Sequence, residues 1–284
     1  MSAQGGGPVV WVGGRVRRPE EAWVPALDHG LTVGDGVFET CKVSDGVPFA
    51  LTRHLARLER SATGLGLAAP EVDQVRDAVA QVLDAVHVPF GRLRITWTAG
   101  PGPLGSNRTP GSGTLVVAAE AAAPWPAGAR AVRVPWTRNE RAATAGLKTT
   151  SYGENVMALA YAHERGGSEA LLANTRGELC EGTGSNVLVV DGDELVTPPL
   201  SSGCLAGITR QLLLEWAVDE GLPLVERELP FDVLDRAGQV LLTSSTRDVQ
   251  PLADVDGRQL VGGDLSQAAV ELFARRSTLD ADPI

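Results

Sequence analysis

Apolar residues in the first half of the chain recur at spacings that predict two helices and a set of short strands. Leu51, Leu55 and Leu58 follow a helical period, so an amphipathic helix is expected at 51–67 and a second one at 71–86. Alternation of apolar and polar residues instead indicates half-buried strands. Such strands are predicted at 9–12, 15–16, 31–43 (after an entering loop), 92–97 and 114–119, with tight turns at 13–14 and 45–46.

The second half mixes short strands and helices without a repeated strand–helix–strand rhythm. Strands are predicted at 131–134, 170–174, 179–181, 187–190, 194–197, 225–228 and 239–243. Helices are predicted at 152–165, from Gly207 onward, at 231–236 and at 265–276, where a loose tail follows. This mixture favours the α+β class over a doubly wound parallel sheet.

The length of the chain and one unpatterned stretch indicate two domains. At 284 residues, the chain reaches the size at which one hydrophobic core stops growing. The segment AAAPWPAG at 121–128 is rich in Pro and Ala and has no period, which is typical of a linker. We therefore expect a small α+β domain at 1–121, a linker at 122–130 and a larger domain at 131–284. Residues 1–7 are small and polar and are expected to be disordered.

Charge and cysteine usage narrow the classes of partner and compartment. A formal net charge of -10 argues against a nucleic-acid or anionic-membrane surface, because both need a basic face. No apolar run reaches the ~18 residues of a membrane span, and the first residues lack the pattern of a secretory leader. Cys41, Cys180 and Cys204 are scattered, which fits reduced thiols in a cytoplasmic protein. The four histidines are dispersed, so no metal is expected.

Three arginines, Arg53, Arg57 and Arg60, follow one another along the helix predicted at 51–67. On composition alone, such charges more often form a solvated helix face than an anion-binding site. The helix pattern by itself therefore assigns them no function.

Residues whose side chains could act in catalysis or in cofactor binding concentrate between 147 and 186. Lys148 precedes the helix predicted at 152–165, and Glu181 follows 33 residues later among Gly, Thr and Ser. An amine that forms a Schiff base and a carboxylate that pairs with a pyridine nitrogen are the two protein groups that pyridoxal phosphate (PLP) chemistry most needs. Further along, the start of a helix at Gly207 suits a phosphate, and a hydroxyl-rich stretch follows at 243–246. Each feature alone is weak, but their conjunction predicts a PLP site.

At these segments the chain resembles the class IV aminotransferases, the fold type IV family of PLP enzymes. This family includes branched-chain aminotransferases, D-amino-acid aminotransferases and aminodeoxychorismate lyases. The resemblance implies an α+β fold of two domains with PLP in the cleft between them, and a homodimer in which each subunit closes the other's active site. The matching segments are HGLTVGDGVFET, RHLARL, LKTTSYGENVMA, LLANTRGELCEGTGSNV, GITR and LTSSTRDVQPL.

The resemblance also implies roles for individual residues. Lys148 resembles the Schiff-base lysine, which also moves the substrate proton, and Glu181 resembles the partner of the pyridine nitrogen. Arg53 resembles the arginine that binds the cofactor phosphate, a task that suits a planar guanidinium. The other cofactor contacts implied are Ile208, Thr209, Ser245 and Thr246 at the phosphate and Tyr152 at the phenolic oxygen, with Asn186 supporting the turn at Glu181.

Three departures bear on the reaction. Phe38 stands where D-amino-acid aminotransferases have tyrosine, and their Arg-x-His pair does not follow the strand at 92–97. Ser244–Ser245–Thr246–Arg247 stands where branched-chain enzymes have Gly-Thr-Ala-Ala. The motifs are most similar to those of bacterial aminodeoxychorismate lyases, which convert 4-amino-4-deoxychorismate to p-aminobenzoate and pyruvate. The loop 100–108 departs from those lyases, and a class IV aminotransferase acting on branched-chain or D-amino acids with a 2-oxo acid acceptor is the alternative.

A substrate that carries an amine and two carboxylates should meet cations. Arg94, Arg108 and Arg247 are the candidates, and Thr40 could hydrogen-bond the substrate or Lys148. The ordinary interpretation of Arg94 is a solvated charge on the face of a strand, and the sequence gives this the same weight.

Overall fold

The computed structural model describes residues 7–284, which form two compact units. The first unit comprises the chain up to Pro124 together with Leu147–Tyr152 and Ala281–Ile284. The second unit comprises Trp125–Gly146 and Gly153–Asp280. The segment with Lys148 thus belongs to the first unit, although the sequence pattern grouped it with the second half. The predicted domain limits of 1–121 and 131–284 stay a prediction.

The first unit is an antiparallel six-stranded sheet with helices packed on it. Its strands are β1 (Val9–Val12), β2 (Arg15–Arg17), β3 (Gly36–Ser44), β4 (Val47–Pro48), β5 (Phe90–Thr98) and β6 (Thr114–Ala121). Its helices are α1 (His29–Thr32), α2 (Leu51–Gly64) and α3 (Val72–Ala85), with a 3-10 turn at Pro19–Glu21. The strand order is β2-β1-β6-β5-β3-β4, and all neighbouring pairs are antiparallel.

Strand β3 presents different chemistry on its two faces because successive side chains alternate. Val37 and Cys41 point into the core formed with α2 and α3, where both are fully buried. Phe38 and Thr40 therefore point to the opposite face of the sheet. The register with β5 pairs Thr40 with Arg94, so the same face also carries Arg94.

Glu39 is a carboxylate on the core-facing side of β3. Arg57 donates from Nε and Nη2 to its two oxygens (2.7 and 2.6 Å), and the Nδ1–H of His54 donates to Oε2 (2.7 Å). Burial alone would raise the pKa of Glu39, but Arg57 and His54 outweigh burial and hold it well below the ordinary 4.5. Arg57 is 4% exposed, so its interpretation as part of a solvated helix face was wrong: Glu39, 18 residues away, pairs with it in the interior.

The second unit is built on a mixed nine-stranded sheet. Its strands are β7 (Ala129–Arg138), β8 (Glu169–Asn174), β9 (Leu179–Gly182), β10 (Asn186–Asp191), β11 (Glu194–Thr197), β12 (Leu224–Glu226), β13 (Val240–Ser244), β14 (Asp248–Val255) and β15 (Arg258–Gln259). The order is β12-β11-β10-β13-β14-β7-β8-β9, with β15 beside β14. Its helices are α4 (Gly153–Glu164), α5 (Ile208–Glu220), α6 (Val233–Arg236) and α7 (Asp264–Leu279), with a 3-10 turn at Leu200–Ser202.

The mixture of helix and strand confirms the α+β prediction, and the differences are local. The short helix α1 and the strands β4, β14 and β15 were not predicted. The tail expected to be loose is instead packed, because Ala281–Ile284 belongs to the first unit and Pro283 is buried. The predicted disorder at 1–7 falls almost wholly on 1–6, outside the described residues. Within residues 7–284, no helix combines the length and apolar character needed to cross a bilayer.

The contacts of Glu39 predict how its substitution changes the free energy of unfolding. Glu39→Gln should lower the free energy of unfolding by about 3 kcal/mol at neutral pH, because it leaves the buried Arg57 charge uncompensated. Since the folded-state pKa of Glu39 is depressed, its contribution is present above pH 4.5 and is lost as the pH falls further. Denaturant unfolding should therefore show the deficit of the variant shrinking below that pH. Glu120→Gln, which breaks a half-exposed pair with Arg92, is the matched control and should cost little; equal effects would contradict the prediction.

Candidate active site

Lys148 is fixed beside β3 by its own backbone. The N–H of Phe38 donates to the Lys148 carbonyl (2.9 Å), and the Lys148 N–H donates to the Ser61 hydroxyl (3.2 Å). Two residues on, the N–H of Thr150 donates to the Gly36 carbonyl (2.8 Å). These bonds hold the segment against the first residues of β3, so the position of the Lys148 amine depends on the sheet.

The ring of Phe38 is the common neighbour of three predicted site residues. The Lys148 Nζ lies 4.6 Å from its centroid, and the Cζ of Arg94 lies 3.3 Å from it. The Tyr152 ring meets it edge-on, with centroids 5.2 Å apart. The structure thus brings an amine, a guanidinium and a phenol together on the sheet face opposite the core.

Arg94 carries a charge that no acidic side chain of residues 7–284 pairs with. Its Nη1 donates to the hydroxyl of Thr40 (3.2 Å), and its guanidinium stacks on Phe38. Burial of the guanidinium lowers its pKa to about 10, so it stays cationic at neutral pH. Arg94 is nevertheless exposed to solvent, and an accessible guanidinium without a carboxylate partner is suited to binding an anion.

Arg108 is already engaged within the first unit. Its Nε and Nη2 donate to the two oxygens of Asp35 (both 2.7 Å), and it also donates to the carbonyls of Leu65 and Gly66 (both 2.9 Å). The hydrogen bonds to Asp35 raise its pKa. Its substrate role stays a prediction, without a contact that supports it.

Arg247 is engaged within the second unit. Its guanidinium stacks on Trp125 (3.6 Å) and donates to Gln250 Oε1 (2.6 Å) and the Ser168 carbonyl (3.0 Å). Its side chain is almost fully buried and lies 3.9 Å from the Glu169 carboxylate. These contacts give it a structural task, and its substrate role also stays a prediction.

Glu181 lies on β9 in the second unit, with one fixed donor on each oxygen. Arg138, at the end of β7, donates from Nε to Oε1 (3.1 Å), and the Leu205 N–H donates to Oε2 (2.9 Å). Arg138 also donates to the Asn155 side chain (3.4 Å), at the start of α4. No local sequence pattern points to Arg138, because only the pairing of β7, β8 and β9 brings it to Glu181.

A loop from Leu205 to Gly207 connects Glu181 with the start of α5. Asn186 donates from Nδ2 to the Leu205 carbonyl (2.8 Å), and a Cβ on Gly207 would lie 2.0 Å from Asn186 Oδ1. Asn186 therefore holds Leu205, and Leu205 in turn donates to Glu181, so the predicted support of the Glu181 turn by Asn186 would act through Leu205. Gly207 has no side chain to cap α5, and the first-turn amides of Ile208 and Thr209 form an N-terminus suited to phosphate.

The hydroxyl-rich turn follows β13 in the same unit. The Thr246 hydroxyl accepts from the Trp125 indole N–H (3.2 Å). β13 pairs Thr243 with Asn186 of β10, and Asn186 in turn contacts Gly207. The buried Thr243 hydroxyl has no hydrogen-bond partner in the described part of the chain. A buried orphan hydroxyl next to a helix start fits an anion with several acceptor oxygens.

Arg53 lies in the first turn of α2, where its Nε donates to the Pro283 carbonyl (3.0 Å). Ser245 follows β13 in the turn that carries Thr246. By residue type, the candidates of the two units include an amine, a carboxylate and donors suited to a phosphate, which are the groups that PLP needs, so the residues present fit that cofactor while their roles stay predictions.

Other reactive side chains are accounted for differently. No group of three or more His, Cys, Asp or Glu side chains among residues 7–284 has the geometry of a metal site. Cys41, Cys180 and Cys204 are unpaired and buried, and burial raises the pKa of the Cys204 thiol to about 11. At neutral pH these thiols are protonated and offer no nucleophile.

Comparison with known proteins places this arrangement in a family. The profile of amino-transferase class IV matches residues 36–255. The chain belongs to the class IV aminotransferases. It is 32% identical over 254 residues to a provisionally named branched-chain-amino-acid aminotransferase of Methanocaldococcus jannaschii, covering 88% of each chain. It is 28% identical over 268 residues to the D-alanine aminotransferase of Staphylococcus haemolyticus, covering 93% of this chain and 94% of that one.

Solved structures agree with this membership. The branched-chain aminotransferase of Thermoproteus uzoniensis with norvaline superimposes with a TM-score of 0.86 at 30% identity, covering 95% of this chain and 94% of that one. A hypothetical aminotransferase of Mycobacterium tuberculosis in its PLP-bound form gives 0.82 at 26% identity, covering 97% and 100%. A provisionally named 4-amino-4-deoxychorismate lyase of Legionella pneumophila gives 0.82 at 23% identity, covering 89% and 95%, which shows a shared fold alone. The family, the PLP cofactor and the enzyme class are confirmed; the roles of single residues stay predictions.

The hydrogen bond between Asn186 and Leu205 predicts the effect of adding a side chain at Gly207. Gly207→Ala should force Asn186 from its bond to Leu205, which would loosen a donor to Glu181 and the start of α5. We expect a loss of stability of about 1–3 kcal/mol and weaker PLP binding, measured by thermal unfolding and by cofactor absorbance. Gly262→Ala, in a second-unit loop with open space around it, is the control. A Gly207→Ala protein as stable and as tightly loaded as this control would refute the role of the contact.

Proposed function

We propose that the protein is an aminotransferase that moves an amine between a small amino acid and a 2-oxo acid. The observation that carries the proposal is Arg94, the one predicted substrate arginine without an acidic partner among residues 7–284. It shares the ring of Phe38 with Lys148, so a carboxylate bound at Arg94 would lie near the amine. A single such cation suits a substrate whose only carboxylate is the one next to its amine.

The residues of the first unit have separate proposed roles at the reacting carbon and at the cofactor phosphate. When bound, PLP supplies an electron sink for the carbon that bears the substrate amine. Lys148 would hold the cofactor covalently and would move the proton at that carbon, and Tyr152 and Phe38 border the amine. Arg53 would bind the cofactor phosphate with its guanidinium.

The residues of the second unit hold the ring nitrogen and the phosphate. Glu181 would pair with the ring nitrogen, and Arg138 and the Leu205 N–H fix the direction of its two oxygens. The phosphate contacts we propose are Ile208, Thr209, Ser245 and Thr246.

The second candidate function is that of an aminodeoxychorismate lyase, and the position of Thr40 favours it. Its hydroxyl accepts from Arg94, beside the ring that Lys148 contacts. A hydroxyl there could take part in proton transfer to a leaving group. The lyase substrate has two carboxylates, however, and Arg108 and Arg247 are engaged by Asp35 and by Trp125 and Glu169. The state of these two arginines makes the aminotransferase our first choice.

Parallel product assays test the choice. One arm offers branched-chain L-amino acids and D-alanine with pyruvate, a 2-oxo acid with a single carboxylate, and the other offers 4-amino-4-deoxychorismate made in situ from chorismate. We expect amino transfer without p-aminobenzoate; p-aminobenzoate without transfer would establish the lyase instead. Lys148→Ala should abolish turnover in either arm. Arg94→Gln should keep PLP bound but lower kcat/KM for amino transfer about 100-fold.

We also propose that the enzyme is a homodimer, as the family resemblance implies. The first unit exposes large apolar side chains, with Trp23 at 79% and Leu104 at 80%, a feature typical of interfaces. Light scattering should give twice the chain mass of 29.7 kDa. Leu104→Glu should shift the protein toward the monomer, whereas Val218→Glu, at an equally exposed position of the second unit, should not. A monomeric holoenzyme at assay concentration would contradict the proposal.

A further inference from the structure

The residues that follow α7 clasp the start of α2 in the first unit. The N–H of Ala50 donates to the Ala281 carbonyl (2.7 Å). The N–H and the hydroxyl of Thr52 donate to the two carboxylate oxygens of Asp282 (2.8 and 2.6 Å). The next carbonyl, that of Pro283, accepts from the Nε of Arg53 (3.0 Å). Three consecutive tail residues thus bind three of the four residues 50–53.

The start of α2 needs such a partner. Its N-cap, Ala50, has a left-handed backbone (φ 53°) and makes no side-chain cap. Unbonded amides at a helix start cost free energy, and a carboxylate there satisfies an amide and complements the helix dipole. Asp282 supplies that cap from a distance of 230 residues in sequence. The cap is therefore set by the fold and has no local sequence signal.

The bond to Pro283 acts on the side chain of Arg53 as well as on the helix. A guanidinium is planar, so a hydrogen bond that fixes Nε also fixes the plane in which its two terminal nitrogens lie. An arginine held in one orientation loses less conformational entropy when it binds an anion. The tail therefore does two separable things: Asp282 caps α2, and Pro283 orients Arg53.

We infer that residues 281–283 are a positioning element for the phosphate-binding arginine of this enzyme. The inference rests on the proposed role of Arg53. Residues 281–283 touch no reacting atom. They act through Arg53, by holding its guanidinium in the orientation that binds the cofactor phosphate. A second side chain supports the clasp, because Arg76 of α3 donates to the Thr52 hydroxyl (2.8 Å).

A double-mutant cycle on PLP affinity tests the inference. The proteins are the full chain, a chain that ends at Asp280, Arg53→Ala, and the two changes combined. Each apoprotein, prepared from the holoenzyme, is titrated with PLP and followed by cofactor absorbance, and its thermal unfolding is measured. We expect Arg53→Ala to raise the Kd about 10- to 100-fold and the shortened chain to raise it about 3- to 10-fold. In the combined protein the Kd should be no higher than for Arg53→Ala alone.

Two further variants separate orientation from simple loss of stability. Val79→Ala, at a buried position of α3 in the core of the first unit, lowers the unfolding temperature and changes none of the residues that bond to the tail, so its PLP affinity should match the full chain. Asp282→Asn retains an oxygen that can accept from Thr52 and leaves Pro283 in place, so it should keep most of the affinity that the shortened chain loses.

The outcomes are distinct. A shortened chain with unchanged Kd, or a combined protein whose loss equals the product of the two single losses, would overturn the inference while leaving the role of Arg53 intact. An Arg53→Ala protein that binds PLP as tightly as the full chain would instead overturn the proposed role of Arg53, and the inference with it. A Val79→Ala protein that loses affinity in proportion to its stability would show that the tail acts only through stability.

Discussion

The first unit depends on a buried ion cluster that joins β3 to α2. Glu39 lies between Arg57 and His54 with every oxygen engaged, in a part of the core where an unpaired charge would cost several kcal/mol. Since a strand alternates its side chains, fixing Glu39 inward fixes Phe38 and Thr40 outward, and a slip of one residue would exchange them. The same cluster fixes α2, which carries Arg53 one residue before His54. The positions of both the Phe38 ring and Arg53 thus follow from one charge pairing.

Arg94 differs from the other charged candidates of both units. Glu181 is balanced by Arg138 and a backbone amide, Arg247 lies near Glu169, and Arg108 of the first unit pairs with Asp35. In the first unit, Arg94 lies in an exposed position beside a hydroxyl and an aromatic ring, and no acid among the described residues pairs with it. In a chain of net charge -10, such an imbalance is local and is held by the fold. Balanced charges suit the holding of a resident cofactor, and an unbalanced one suits a substrate that comes and goes.

Periodicity predicted most elements because the residues that form them are neighbours in sequence. The helix at 51–67 and the strand at 92–97 were found in this way, with ends within a few residues of α2 and β5. β14 was missed because Pro251 lies in it and argues against a central strand; pairing with β7 begins only at Leu252. Lys148 and Glu181 came from motif resemblance, since one lysine or one glutamate has no local signal of its own.

What the sequence could not supply are partners that are distant along the chain. Arg57 was predicted to be solvated, and only the packing of α2 on β3 shows the acid that neutralises it. Arg108 and Asp35 are 73 residues apart, and Asp282 and Thr52 are 230 apart, so no window of local pattern contains both members. Counting arginines therefore overestimates the cations available to a substrate, because a paired arginine contributes little field to a ligand. Of the three predicted substrate arginines, only Arg94 lacks an acidic partner among the described residues. One such cation supports amino transfer, in which the substrate needs one carboxylate contact, better than the lyase reaction, in which it needs two.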